Sequence, residues 1–170
     1  MIDLHKIGRT SRNTARKLSQ ISTQQKNEFL ALLAEQLKNN AGTILAANQT
    51  DIEQAQSAGM TAALMDRLLL SQGRLDGMAK DLEDLIQMPD PVGTIIEKKI
   101  LLSGIKASRI RVPLGVMAVI YEARPNVTVD ISALGIKSGN AVILRGGKET
   151  LTSNKALVQM IQNCLEAVGI

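Results

Sequence analysis

Two short apolar runs constrain this chain more than any other feature. Residues 115–120, Gly-Val-Met-Ala-Val-Ile, and 141–144, Ala-Val-Ile-Leu, carry almost no polar residue and are separated by one helix-length segment. Such runs are typical of strands buried on both faces, and strand, helix, strand at this spacing makes a βαβ unit with parallel strands. The connecting helix is expected over 127–138, closed by Gly139-Asn140. After Leu144 comes the turn Arg145-Gly-Gly-Lys-Glu149, then a last helix with Ser153 as its expected cap. Ala156, Leu157, Met160, Ile161, Cys164, Leu165 and Val168 form its apolar stripe. A parallel sheet usually has more than two strands, so the fold reads as unfinished at Gly169-Ile170.

Upstream the periodicity changes. Residues 1–90 read as helices almost throughout, with apolar positions three and four apart. Ser22-Thr-Gln-Gln25 is a capping box ahead of Phe29, Leu30, Leu33, Ala34 and Leu37. Further helices are expected over 41–58, ended by Gly59, and over 62–70 and 75–87. Pro89-Asp-Pro91 stops the helical region. Two β-branched, basic runs follow, 94–101 and 105–112, joined through Ser103-Gly104 as a hairpin. A lone hairpin is marginal in water, so this one needs something larger to lean on, such as another subunit. The fold class is α/β in three parts: helices over 1–90, a hairpin arm over 91–113, and the first βαβα part of a parallel-sheet domain over 114–170.

Composition removes several classes of function. The chain has 170 residues, and 20 Lys plus Arg against 16 Asp plus Glu leave a net charge of only +4, which is no polybasic surface. With one Tyr, one Phe and no Trp there is no stacking platform for nucleic acid. One His and one Cys cannot build a Cys/His metal centre or an internal disulfide, so no metal is expected. The opening MIDLHKIGRT lacks the apolar core of a signal peptide, and no run approaches the ~18 apolar residues of a membrane span. The expectation is a cytoplasmic protein without a membrane partner.

Chemistry in open parallel sheets sits at the carboxyl ends of the strands, here the loops after Ile120 and Leu144. In Arg145-Gly-Gly-Lys148 two glycines allow close backbone approach, and a following helix N-terminus with free amides would favour an anion. The same turn is equally consistent with glycine needed for geometry alone. Tyr121-Glu-Ala-Arg-Pro-Asn126 places a carboxylate, a guanidinium and a carboxamide at a strand end. Asn126 can cap the next helix or aim its amide at an oxyanion, and Arg124 can hold an anion or pair with Glu122. Asp130 is expected in the first helical turn, and Cys164 on a buried stripe rather than in catalysis.

Arg111-Val-Pro-Leu-Gly115, Tyr121-Glu-Ala-Arg-Pro-Asn-Val-Thr-Val-Asp130, Ser138-Gly-Asn-Ala-Val-Ile-Leu-Arg-Gly-Gly147 and Ser153-Asn154 together resemble the γ-glutamyl phosphate reductase family. Asp66-Arg-Leu-Leu-Leu70, Arg74-Leu75 and Met88-Pro-Asp-Pro-Val-Gly93 extend the resemblance over essentially the whole chain, and a wider likeness reaches the aldehyde dehydrogenases. The resemblance implies NADPH-dependent reduction of γ-glutamyl phosphate to glutamate 5-semialdehyde and phosphate, in proline biosynthesis. It implies a homo-oligomer, with glutamate 5-kinase as a candidate partner. It also implies that the family's nucleophilic cysteine belongs to a later domain, so this chain corresponds to an N-terminal portion and is expected to be inactive alone. By the same resemblance Tyr121, Glu122, Arg145, Gly146, Gly147 and Lys148 are cofactor-binding candidates, with Arg145 placed to suit the 2′-phosphate. Arg124 is the substrate-binding candidate and Asn126 the oxyanion candidate. Two other readings stand beside this one: a stand-alone anion-binding half-domain, and a structural oligomerisation piece built on the hairpin.

Overall fold

Helical spacing over the first half of the chain produces α1 (Leu4–Leu18), α2 (Thr23–Asn39), α3 (Ala41–Ser57), α4 (Ala62–Leu68) and α5 (Gln72–Gln87) in a computed structural model that describes residues 3–170. Met1 and Ile2, which open the segment without a signal-peptide pattern, lie outside the described residues. The capping box forms: Ser22 Oγ accepts from the Gln25 N–H, and Gln25 Oε1 accepts from the Ser22 N–H, both at 3.2 Å. Gly59 follows α3 in the left-handed region at φ 73°. Two boundaries move from their expected places for local reasons. The Leu70 N–H is taken by the Asn48 side chain at 2.7 Å, so α4 ends at Leu68. Ser71 caps the Arg74 N–H and starts α5 at Gln72, ahead of its apolar stripe.

After the prolines, β1 (Ile95–Ile100) and β2 (Lys106–Ile110) pair antiparallel, then β3 (Val116–Ile120) pairs parallel with β4 (Ala141–Arg145). Helix α6 (Asn126–Lys137) connects β3 to β4, and a short 3-10 turn (Lys148–Thr150) leads into α7 (Leu151–Ala167). One core joins the two halves of the chain, since Phe29, Leu30, Leu33 and Leu37 of α2 are fully buried in the same cluster as Leu75, Val129 and Leu157. Burial of this kind contributes roughly 25 cal/mol per Å² of apolar area and is what fixes the helices around β4. Helix α6 lies so close to β4 that a Cβ on Gly135 would come within 2.6 Å of Val142 Cγ1.

Several expectations are corrected. The two strands are not buried on both faces: Val116, Ala118 and Ile120 are exposed while Met117 and Val119 are half-buried, so one face of β3 is covered and the other bare. Ile120 is 83% exposed. Ser153 is not the cap of α7 but lies inside its first turn, because Asp51 of α3 caps the helix from outside the local sequence. Asp130 lies beyond the first turn of α6, which holds no acid. Every β1 residue is exposed.

Candidate functional site at the strand ends

The register of the parallel pair, Ile120 opposite Arg145, sets the loops after β3 and β4 side by side. The Tyr121 N–H donates to the Arg145 carbonyl at 3.1 Å and extends the pairing by one residue. A side-chain chain then spans both loops. Tyr121 Oη lies 2.5 Å from Thr128 Oγ1, which donates to Asn154 Oδ1 at 2.7 Å. Asn154 Nδ2 donates to Thr150 Oγ1 at 2.8 Å, and that hydroxyl donates to the Gly147 carbonyl at 2.9 Å. With each hydroxyl donating once, Tyr121 is the donor to Thr128, and every hydroxyl proton in the run is used. The run ties the β3 loop, α6, α7 and the β4 turn into one unit.

The glycines of the turn answer to the protein's own atoms. A Cβ on Gly146 would meet Asn154 Nδ2, Thr150 Oγ1 and Tyr121 Cε2, and a Cβ on Gly147 would run into the Glu149 carboxylate. Neither glycine has a left-handed backbone, and a Cβ on either would force the Asn154 or Glu149 side chain to move. Arg145 and Lys148 are exposed and make no ion pair among the described residues, while an Arg145 N–H donates to the Gly146 carbonyl. Glu149 Oε2 is buried without a hydrogen-bond partner. The helix N-terminus beyond the turn is not open to an anion as expected. Asp51 already accepts from the Thr152 N–H at 3.0 Å, the Ser153 N–H at 2.7 Å and Ser153 Oγ at 2.6 Å.

Arg124 and Asn126 face another way. They line a cleft with Arg67 of α4 and with Arg74 and Asp81 of α5. Asn126 is the first residue of α6 rather than its N-cap, and its Nδ2 donates to Asp130 Oδ2 at 3.0 Å. Burial pushes the Asp130 carboxyl up, the Asn126 bond opposes this, and the charge of Asp81 adds to it. Arg124 does not pair with Glu122 through side chains; only its N–H meets the Glu122 carbonyl, at 2.7 Å. Glu122 instead presents its backbone to Gly147. The eight site candidates thus fall into two groups, one on the β4 turn and one in the cleft.

No sequence signal marks Thr150 or Asp51, and Thr128 and Asn154 stand in the motifs that carry the resemblance without any role of their own. Thr128 and Asn154 are 26 residues apart, a separation that no local pattern reveals. Cys164 is 2% exposed and burial raises its thiol pKa, as its place on the stripe implied. Among the described residues no helix is long and apolar enough to cross a membrane, and no group of three His, Cys, Asp or Glu side chains could hold a metal ion.

Over 169 residues the chain is 52% identical to gamma-glutamyl phosphate reductase of Vibrio vulnificus, covering 99% of this chain and 41% of that protein. This chain is homologous to gamma-glutamyl phosphate reductases. The crystal structure of gamma-glutamyl phosphate reductase from Thermotoga maritima superposes with a TM-score of 0.94 at 39% identity, over 99% of this chain and 41% of the other. That from Saccharomyces cerevisiae gives 0.93 at 32%, over 98% and 42%. A probable aldehyde dehydrogenase from Listeria monocytogenes, 16% identical with a TM-score of 0.67 over 94% of this chain and 32% of its own, shares the fold. No protein-family profile matches the chain. The chain spans about two fifths of the length of the curated relatives it matches.

Proposed function

We propose that this chain is the nucleotide-binding portion of a γ-glutamyl phosphate reductase, which reduces γ-glutamyl phosphate to glutamate 5-semialdehyde and releases phosphate in proline biosynthesis. The observation that carries the reading is the 52% identity over 169 residues. When bound, NADPH would supply the hydride. The residues of the β4 turn fit such a cofactor: Arg145 and Lys148 are cations without a partner carboxylate among the described residues. Glu149 Oε2, buried and lacking a donor, can accept from a ribose hydroxyl. Tyr121, Glu122, Gly146 and Gly147 shape this turn, and the Tyr121–Thr128–Asn154–Thr150 run keeps it in place. In the neighbouring cleft Asn126 is assigned to the oxyanion and Arg124 to the substrate. Cys164, buried on α7, is no candidate for the nucleophile. A cytoplasmic homo-oligomer, supplied with its acyl phosphate by glutamate 5-kinase, completes the proposal. The exposed isoleucines of the hairpin, Ile95, Ile96, Ile100 and Ile110, favour self-association.

Titration of the chain with 2′,5′-ADP and 5′-AMP tests the cofactor assignment. Arg145→Ala is expected to weaken 2′,5′-ADP by about ten-fold or more while changing 5′-AMP little, since a charge-assisted bond contributes about 1.5–3 kcal/mol. Equal losses for the two nucleotides would show that Arg145 does not recognise the 2′-phosphate.

A further inference from the structure

A groove of about 900 Å³ runs between α1 and the segment that joins β2 to β3, away from both groups of site candidates. One wall is a single face of α1, with Gly8, Arg12, Ala15 and Arg16 at helical spacing. The other is the chain from Ile110 to Val116. Arg12 and Arg16 on the first wall and Arg111 on the second make no ion pair among the described residues, and no acidic residue lines the groove. Three guanidiniums from two elements therefore share one unneutralised cavity, which complements carboxylates.

The backbone of the second wall is also unpartnered. Pro113 holds Val112 in extended geometry and packs inward against Gly139, while Val112 and Leu114 are 69% and 84% exposed. The N–H and C=O groups of Val112 and Leu114 enter no backbone hydrogen bond among the described residues, so this stretch is a short open edge with apolar side chains. Gly8 adds an independent sign of an occupant. Glycine inside a helix is destabilising relative to alanine, yet a Cβ on Gly8 would meet no atom within 4 Å. Nothing in the described chain needs that missing side chain, whereas a segment lying against α1 would. A second copy of this chain lacks the charge to be that segment: its strands hold one acid, Glu97, against Lys98, Lys99, Lys106, Arg109 and Arg145.

We propose that this groove is a docking surface for an acidic, extended segment of a different polypeptide. The segment pairs its backbone with Val112 and Leu114, covers their side chains with its own apolar ones, and sets its carboxylates on Arg12, Arg16 and Arg111.

Amide-resolved NMR of the 170-residue chain tests the proposal with a short acetylated peptide alternating glutamate with valine, and with its counterpart alternating glutamine with valine. The glutamate peptide is expected to shift the amide signals of Gly8, Arg12, Val112 and Leu114, and the glutamine peptide to bind at least ten-fold more weakly. Arg12→Gln combined with Arg111→Gln is expected to weaken the glutamate peptide ten-fold or more with an unchanged thermal midpoint, which reports that the variant is folded. Gly8→Ala is expected to raise the thermal midpoint and yet weaken the same peptide several-fold. Equal binding of the two peptides overturns the proposal, as does undiminished binding by either variant or the absence of any response in the groove. Vesicles of anionic phospholipid are the third probe: shifts along α1 with vesicles but not with the glutamate peptide would assign this basic face to a lipid surface and overturn the proposal too.

Discussion

The helical layer and the hairpin use the same kinds of residue to opposite ends. In α2, Phe29, Leu30, Leu33 and Leu37 are fully buried against α5 and α7, whereas in β1 Ile95, Ile96 and Ile100 are 48%, 47% and 71% exposed. The apolar pattern predicts an ordered element in both segments, and both are ordered. What differs is whether a second surface exists to receive the pattern. The helices face one another across a shared core, while the hairpin is attached only at its root, where Gly93, Thr94 and Arg111 exchange backbone hydrogen bonds. An apolar pattern therefore specifies an element but not its partner.

The sharpest way to break this contrast is a matched pair of truncations. Leu33→Ala removes a fully buried side chain and is expected to lower unfolding stability by about 3–5 kcal/mol in chemical denaturation. Ile100→Ala, at 71% exposure, is expected to change the same midpoint by less than about 0.5 kcal/mol. A large loss at Ile100 would show that the hairpin is covered in solution, which is what assembly through it would produce.

Legibility from sequence followed the range of the interactions. The capping box, the hairpin turn and the two parallel strands were legible because each is set by residues a few positions apart. The cap of α7 was not, because Asp51 reaches it across 102 residues of chain and no local pattern separates it from any other helical aspartate. The bare face of β3 escaped for a related reason, since an apolar run reports what a strand needs and not what its neighbourhood supplies. At the site, Arg145 and Asn126 were legible as strand-end residues. The separation of the cleft from the turn was not, because Arg67 and Asp81 join Arg124 only through packing of α4 and α5.

A second test concerns the joint between the two regions. Asp90 sits at the hairpin's root between α2 and α6, accepting from Lys26 Nζ at 2.8 and 3.0 Å, from Thr23 Oγ1 at 2.8 Å and from the Val92 N–H at 2.9 Å. Burial works to raise its carboxyl pKa, but these bonds and the charge of Lys26 outweigh burial and hold it below the usual carboxylate range. A depressed carboxylate stabilises the fold above its unfolded pKa, and that contribution is lost as pH falls through the folded value. Asp130, raised by burial, acts in the opposite sense: its cost disappears on acidification. Lys26→Met leaves a partly buried carboxylate without its cation and is expected to cost about 1–3 kcal/mol at neutral pH. Its loss of stability below pH ~4 should be shallower than that of the parent, measured as denaturation midpoints across the acid range. An unchanged acid limb would mean that Asp90 does not link the regions energetically.

The smallest effect is expected at the hairpin's tip and tests whether the arm is independent of the core. Gly104 has a φ of 80°, in the left-handed region that a side chain disfavours, and its N–H donates to the Leu101 carbonyl at 2.8 Å. A Cβ there would meet no atom within 4 Å, so only the backbone conformation resists substitution. Gly104→Ala should cost about 1 kcal/mol, all of it within the hairpin. Because no buried side chain lies in β1 or β2, that cost has no route into the helical core. Amide exchange at Leu101 and Lys106 should therefore quicken about five-fold while the global midpoint stays in place. If the global midpoint falls by the same amount, the hairpin unfolds together with the helices, and the division between a self-sufficient layer and an appended arm is wrong.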